Sequence, residues 1–150
     1  MKQFKIEVIS ECKQQLLDKM AHLKKLIVDL KMAMENEAKS SLGDKHETAR
    51  ARLQAEEEKL QIQLSDTTKN WLDFEKIINN TTSEKVGLGA LVKTNQGVFF
   101  MAVPLGKMEV GKQTVYVISR EAPIAKQLWG LKANNSFVFN ERKFEIIEVG

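Results

Sequence analysis

Residues 9–34 read ISECKQQLLDKMAHLKKLIVDLKMAM. Ile9, Leu16, Leu23 and Leu30 recur every seven residues, and Met20, Ile27 and Met34 form a second series four residues on. Apolar side chains at a mean spacing of about 3.5 residues predict a helix with one narrow seam, the pattern by which helices pair. A second run keeps this spacing with Leu53, Leu60, Leu64, Trp71, Phe74 and Ile78, and puts Glu57 and Thr67 in the two remaining seam positions. No proline precedes Pro104, so nothing breaks either helix, and Ser40-Ser41-Leu42-Gly43 is the best turn candidate. The expectation is an antiparallel α-helical coiled-coil hairpin over residues 1–79, with its tip at about residues 40–47. At about 1.5 Å per residue such a hairpin extends roughly 45–50 Å. A two-helix rod buries one seam only, so its distal half serves reach or a partner better than it serves a core.

A chain of 150 residues, 43% hydrophobic and 29% charged, has room for one ordinary domain or two small ones. No window approaches the roughly 18 consecutive apolar residues of a membrane span, and Met1 to Ser10 mixes charged with apolar residues where a signal peptide is uniformly apolar. The expected setting is the cytoplasm, with no membrane partner. Cys12 is the single cysteine, which excludes an internal disulfide and a multi-cysteine zinc site; its expected role is a small apolar residue on or beside the helix seam. The net charge is +3, balanced over residues 1–78 with the surplus in residues 79–150. Neither part has the clustered lysine and arginine of a nucleic-acid footprint, so a protein is the expected partner.

The polar cluster Asn79-Asn80-Thr81-Thr82-Ser83 ends the helical pattern, and residues 80–85 read as a linker. Residues 86–150 are then β-rich. Strands are predicted at Val86–Lys93, Val98–Val103, Thr114–Ile118, Phe137–Asn140 and Phe144–Val149, separated by turn signals such as Asn95-Gln96-Gly97 and Asn134-Asn135. Phe99 to Val103 is apolar on both faces and suits a central strand. Pro123 fits the first position of a short helix that Gly130 closes. The predicted class is α+β: a helical hairpin followed by a small antiparallel β-sheet domain with one short helix.

Chemistry is sparse. The only histidines, His22 and His46, have no serine or cysteine nucleophile in a suitable context. Gly87-Leu88-Gly89 is too short for a dinucleotide fingerprint and reads as strand glycine, and Glu56-Glu57-Glu58 reads as a solvated helix face. Asp44 and Glu47 stand out by position. As N-cap and N3 they form a capping box; three apart at a helix start they also share one face, close enough to hold one hard cation such as Mg²⁺.

Two segments carry a family resemblance. Gly43-Asp44-Lys45-His46-Glu47-Thr48-Ala49 is similar to a Gly-Asp-x-x-Glu-Asn-Ala tip, and Glu121-Ala122-Pro123-Ile124-Ala125-Lys126-Gln127-Leu128-Trp129-Gly130 to an Asp-Ser-Pro-Ile-Gly-Lys-Ala-Leu-Leu-Gly segment. In this order, behind a helical hairpin, they resemble the GreA/GreB family of bacterial transcription factors over nearly the whole chain. The resemblance implies an FKBP-like C-terminal domain that docks on RNA polymerase through Glu121, Pro123 and Ile124, and a hairpin that enters the polymerase's secondary channel. It implies that Asp44 and Glu47 act there as catalytic, metal-directing acids. They would help hold Mg²⁺ shared with the polymerase against the backtracked 3′ end of the nascent RNA, in a two-metal phosphodiester hydrolysis. The factor would be a monomer and not itself an enzyme, and would carry no metal alone.

The chain departs from the family at Thr48-Ala49-Arg50-Ala51, where Asn-Ala-Glu-Tyr is usual. Arg50, one turn from Glu47, is placed to pair with it. Two alternatives follow: a non-cleaving regulator that occupies the same channel, and an isomerase or chaperone that uses the FKBP-like domain. The aromatic residues after position 98 are expected to be consumed by core packing.

Overall fold

The computed structural model describes residues 1–39 and 43–150, with side chains 38–46 outside the description. It is α+β. Two long helices, α1 (Lys2–Lys39) and α2 (Gly43–Ile77), precede β1 (Leu91–Thr94), β2 (Gly97–Met101), β3 (Gly106–Val110), β4 (Gln113–Ile118), α3 (Pro123–Leu128), β5 (Ser136–Phe139) and β6 (Arg142–Val149). Two compact units divide the chain: Met1–Gln14 with Leu72–Gly150, and Gln15–Trp71. The turn expected at Ser40-Ser41-Leu42 lies outside the described residues.

The first unit is built on a six-stranded sheet in the order β3-β4-β2-β1-β6-β5. The sheet is mixed, which corrects the antiparallel expectation: β2 and β4 pair in parallel, Val98 against Val115 through Met101 against Ile118. The reason is a strand that the sequence reading missed. After β2 the chain turns back through Ala102–Leu105 into β3, which leaves one strand's width open, and the β3–β4 hairpin folds β4 into it. Two reversals restore the direction of β2. β3 alternates buried Met108 and Val110 with exposed Lys107 and Glu109, and with so few β-branched residues it gave a weak signal.

Strand alternation divides the buried side chains between two faces. Val92, Phe99, Met101 and Ile146 pack with Ala125 and Leu128 of α3. Phe100 points to the other face, where Phe74 of α2 meets it edge to face at 6.2 Å, and Met108 lies beside Cys12 of α1, sulfur to sulfur 3.9 Å. Val8, Cys12 and Phe74 are all fully buried there. Helix ends thus cover the face opposite α3, and β2 is apolar on both sides because both are covered.

β1 begins at Leu91, not Val86. Gly89 takes φ +86°, and a Cβ on it would lie 3.0 Å from the Ile77 carbonyl oxygen, so Gly87-Leu88-Gly89 is a turn against the end of α2 rather than part of a strand. Val86 instead pairs with the chain after α3, accepting from Gly130 N–H at 2.8 Å and donating to the Leu131 carbonyl at 2.8 Å.

In the second unit the less exposed stripe is the predicted seam. Leu16, Leu23 and Ile27 are buried, Met20, Leu30 and Met34 half-buried, and across from them Leu53, Leu60 and Leu64 are half-buried with Thr67 buried. The Thr67 hydroxyl donates to the Gln63 carbonyl at 2.8 Å, which satisfies it inside the seam. Glu57 belongs to the seam and not to a solvated face: it is 22% exposed and lies 3.7 Å from the Lys31 ammonium, which ties the two helices together.

Candidate functional surfaces

Asp44 and Glu47 lie in the first two turns of α2, which begins at Gly43. Asp44 and His46 have side chains outside the described residues. Glu47 is exposed, as are Arg50 and Ala51 in the next turn. An exposed carboxylate early in a helix presents a hard oxygen donor of the kind Mg²⁺ accepts. Among the described residues no group of three or more His, Cys, Asp or Glu converges to hold a metal ion, and no helix is long and apolar enough to cross a membrane.

The second surface surrounds α3. Ala122 precedes the helix in an extended conformation (φ −60°, ψ 140°) with no side-chain cap, and Pro123 supplies a fixed φ where the helix needs no N–H donor. Ala125 and Leu128, three apart, are buried, which anchors the helix and leaves the rest of its surface outward. Glu121 and Pro123 are exposed; Ile124 is half-buried against the core. Residues of this segment line two grooves. Glu121 lines one of about 380 Å³ with Arg120, Lys126 and Trp129. Ile124 lines another of about 450 Å³ with Phe99, Tyr116, Phe139, Arg142 and Phe144.

Sequence reasoning missed Arg120 and Trp129. Trp129 follows the last buried residue of α3, is 43% exposed, and carries the Arg120 guanidinium 5.1 Å from its ring centre. Tryptophan and arginine dominate binding energy at protein interfaces. Helical spacing pointed the other way, because position 129 lies one turn from the buried 125 on the same face; Trp129 is turned outward because it is the C-cap residue, where the backbone leaves the helix (φ −54°, ψ 127°). Core packing takes most of the aromatic residues but not all: Phe99, Phe100 and Phe144 are buried and Tyr116 and Phe137 pack against the core, whereas Phe139 is half-buried and Trp129 is exposed.

Two titrating groups in the first unit are perturbed by burial. Desolvation, with the neighbouring Glu11 charge adding to it, pushes the Cys12 thiol up to about 12. The Lys5 ammonium is pushed down by desolvation and donates to the Gly150 carbonyl oxygen at 3.2 Å. Cys12 is therefore a neutral packing residue, not a nucleophile.

Compared with protein-family models, curated proteins and solved structures, the chain matches none.

Proposed function

We propose that the protein is a transcription elongation factor of the GreA/GreB type, which binds RNA polymerase and stimulates hydrolysis of backtracked RNA. The observation that supports this reading best is the combination of two acids three residues apart, Asp44 and Glu47, in the first turns of the second of two long helices, with Pro123 opening an exposed helix start in a separate compact unit. In this reading the helices form an antiparallel coiled-coil hairpin that enters the secondary channel, the sheet unit is FKBP-like, and the protein works as a cytoplasmic monomer.

Asp44 and Glu47 would hold Mg²⁺ by carboxylate oxygens inside the polymerase, where the ion supplies activation of water toward a phosphodiester. Docking falls to Glu121, Pro123 and Ile124. Pro123 loses little conformational freedom on contact, and the half-buried Ile124 is held in place by the core beneath it.

The test is the purified protein added to a backtracked elongation complex. The RNA shortens from its 3′ end, and Asp44→Asn with Glu47→Gln abolishes the shortening while binding to polymerase persists. Shortening that survives the double substitution refutes the assigned acids. Binding without any shortening favours the non-cleaving regulator, for which the exposed Arg50 and Ala51 are the motivating residues.

A further inference from the structure

The groove beside Ile124 is floored by a connected set of rings. Phe99 and Tyr116 stack at 5.3 Å, Phe99 and Phe144 lie 6.1 Å apart, and Phe139 meets Phe144 edge to face at 6.4 Å. Its volume of about 450 Å³ is that of a ligand site, and Arg142 is the one charged side chain lining it.

The groove adjoins the outer strand of the sheet. β5 and β6 are joined by Asn140-Glu141, both at positive φ (50° and 65°), a two-residue hairpin turn. Phe139 and Arg142, which flank the turn, are then a hydrogen-bonded pair, and alternation makes Val138 the position whose N–H and C=O point away from β6. Val138 is 66% exposed. The opposite edge strand, β3, carries Lys107 and Glu109, the kind of charge that discourages strand addition; β5 reads Ser-Phe-Val-Phe and carries none.

We propose that the β5 edge and the aromatic groove together bind an extended peptide segment of a partner protein, added as a further strand beside β5. Main-chain hydrogen bonds to Val138 give the segment its direction and register. Phe139 and Arg142 are register partners, as are Phe137 and Phe144 two residues along, and alternation puts all four on the same side of the sheet. The segment therefore places an apolar or aromatic side chain on the ring floor and, two residues away on the same face, an acidic side chain against Arg142. The site uses no residue of α1 or α2 and shares only Ile124, on the groove wall, with the proposed polymerase docking.

The probes are capped hexapeptides containing Phe-Thr-Glu or Glu-Thr-Phe, titrated into the full-length ¹⁵N-labelled protein up to about 1 mM. At least one order shifts the amide signals of Val138, Phe139 and Asn140. Replacing its Phe by Ala weakens binding at least about tenfold, and moving its Glu by one residue, to the opposite face, weakens it about fivefold. Arg142→Glu reverses the preference from Glu to Lys in the peptide. Val138→Pro removes the outward N–H without touching the β5–β6 ladder and abolishes binding. A peptide N-methylated at the residue opposite Val138 does the same with the protein unaltered, which guards against a variant that fails to fold. The proposal is overturned if neither order shifts these signals, if N-methylation leaves affinity unchanged, or if Val138→Pro instead dissolves a dimer, since the edge would then belong to a second copy of the chain.

Discussion

Phe74→Ala is the most direct test of how the end of α2 stabilises the sheet unit. The Phe74 ring is fully buried and meets Phe100 edge to face at 6.2 Å. Removing it opens a cavity over the middle of β2, and fully buried Phe→Ala changes cost about 3–5 kcal/mol. A domain of ordinary stability has about 5–15 kcal/mol in total, so the variant loses a large fraction of it. Of this loss, about 0.5–1.5 kcal/mol belongs to the ring pair and is separable by a double-mutant cycle with Phe100→Leu. Urea unfolding followed by Trp129 fluorescence, in a Trp71→Phe background, reports on this unit alone. Leu72→Ala is the internal control: Leu72 is 54% exposed, and its removal changes stability by less than about 0.5 kcal/mol. A Phe74→Ala loss no greater than the Leu72→Ala loss would refute the packing argument.

Cys12 gives a pH-dependent prediction. Its thiol ionises near 9 in the unfolded chain and is held protonated to about 12 in the fold, so between these values the unfolded state has lost a proton that the folded state keeps. Stability therefore falls as pH rises above about 9, by about 1.4 kcal/mol per unit relative to Cys12→Ala; Lys5 is common to both proteins and cancels, and parallel denaturation midpoints from pH 8 to 10 would contradict the assignment. Gly97 has φ +128°, and a Cβ there would lie 3.2 Å from the Tyr116 ring. Gly97→Ala should lower stability by about 1–3 kcal/mol in thermal melts and displace Tyr116, visible as a change in near-ultraviolet dichroism. Trp129→Ala, by contrast, should leave the melting temperature nearly unchanged while weakening co-purification with RNA polymerase, which checks whether the Arg120–Trp129 surface takes part in the proposed docking.

The helical half was legible because its signal is local and repeated. Seven-residue spacing identified Leu16, Leu23 and Ile27 as buried and anticipated the polar seam positions Glu57 and Thr67. The short helix was legible for a similar reason, since proline and glycine act on their own backbone: Pro123 opens α3, and Gly130 follows it at φ +80°. The sheet was legible only in part, because its order is set by contacts between distant segments. Nothing in Gly106–Val110 announces that its hairpin with β4 will insert that strand beside β2. Val8 and Cys12 were missed as sheet-facing residues because they lie off the seam, on a helix face whose partner is about a hundred residues away in sequence.

The candidate sites divide along the same line. Asp44 and Glu47 are a sequence motif, recognisable from spacing and from their place after a turn signal. The α3 surface is a product of folding: Glu121, Pro123 and Ile124 are adjacent in sequence yet serve different grooves, and each groove recruits residues from elsewhere. Arg120 acquires meaning only when its guanidinium is seen over Trp129. The contrast also bears on why the seam tolerates polar residues. Leucine at the Glu57 and Thr67 positions would bury more apolar area, but Glu57 paired with Lys31 matches only one register of the helices. A slip of one heptad would move the second helix by about 10 Å along the first. Under the proposed function, a tip that presents Glu47 at a fixed distance would need the register held more than the last increment of stability.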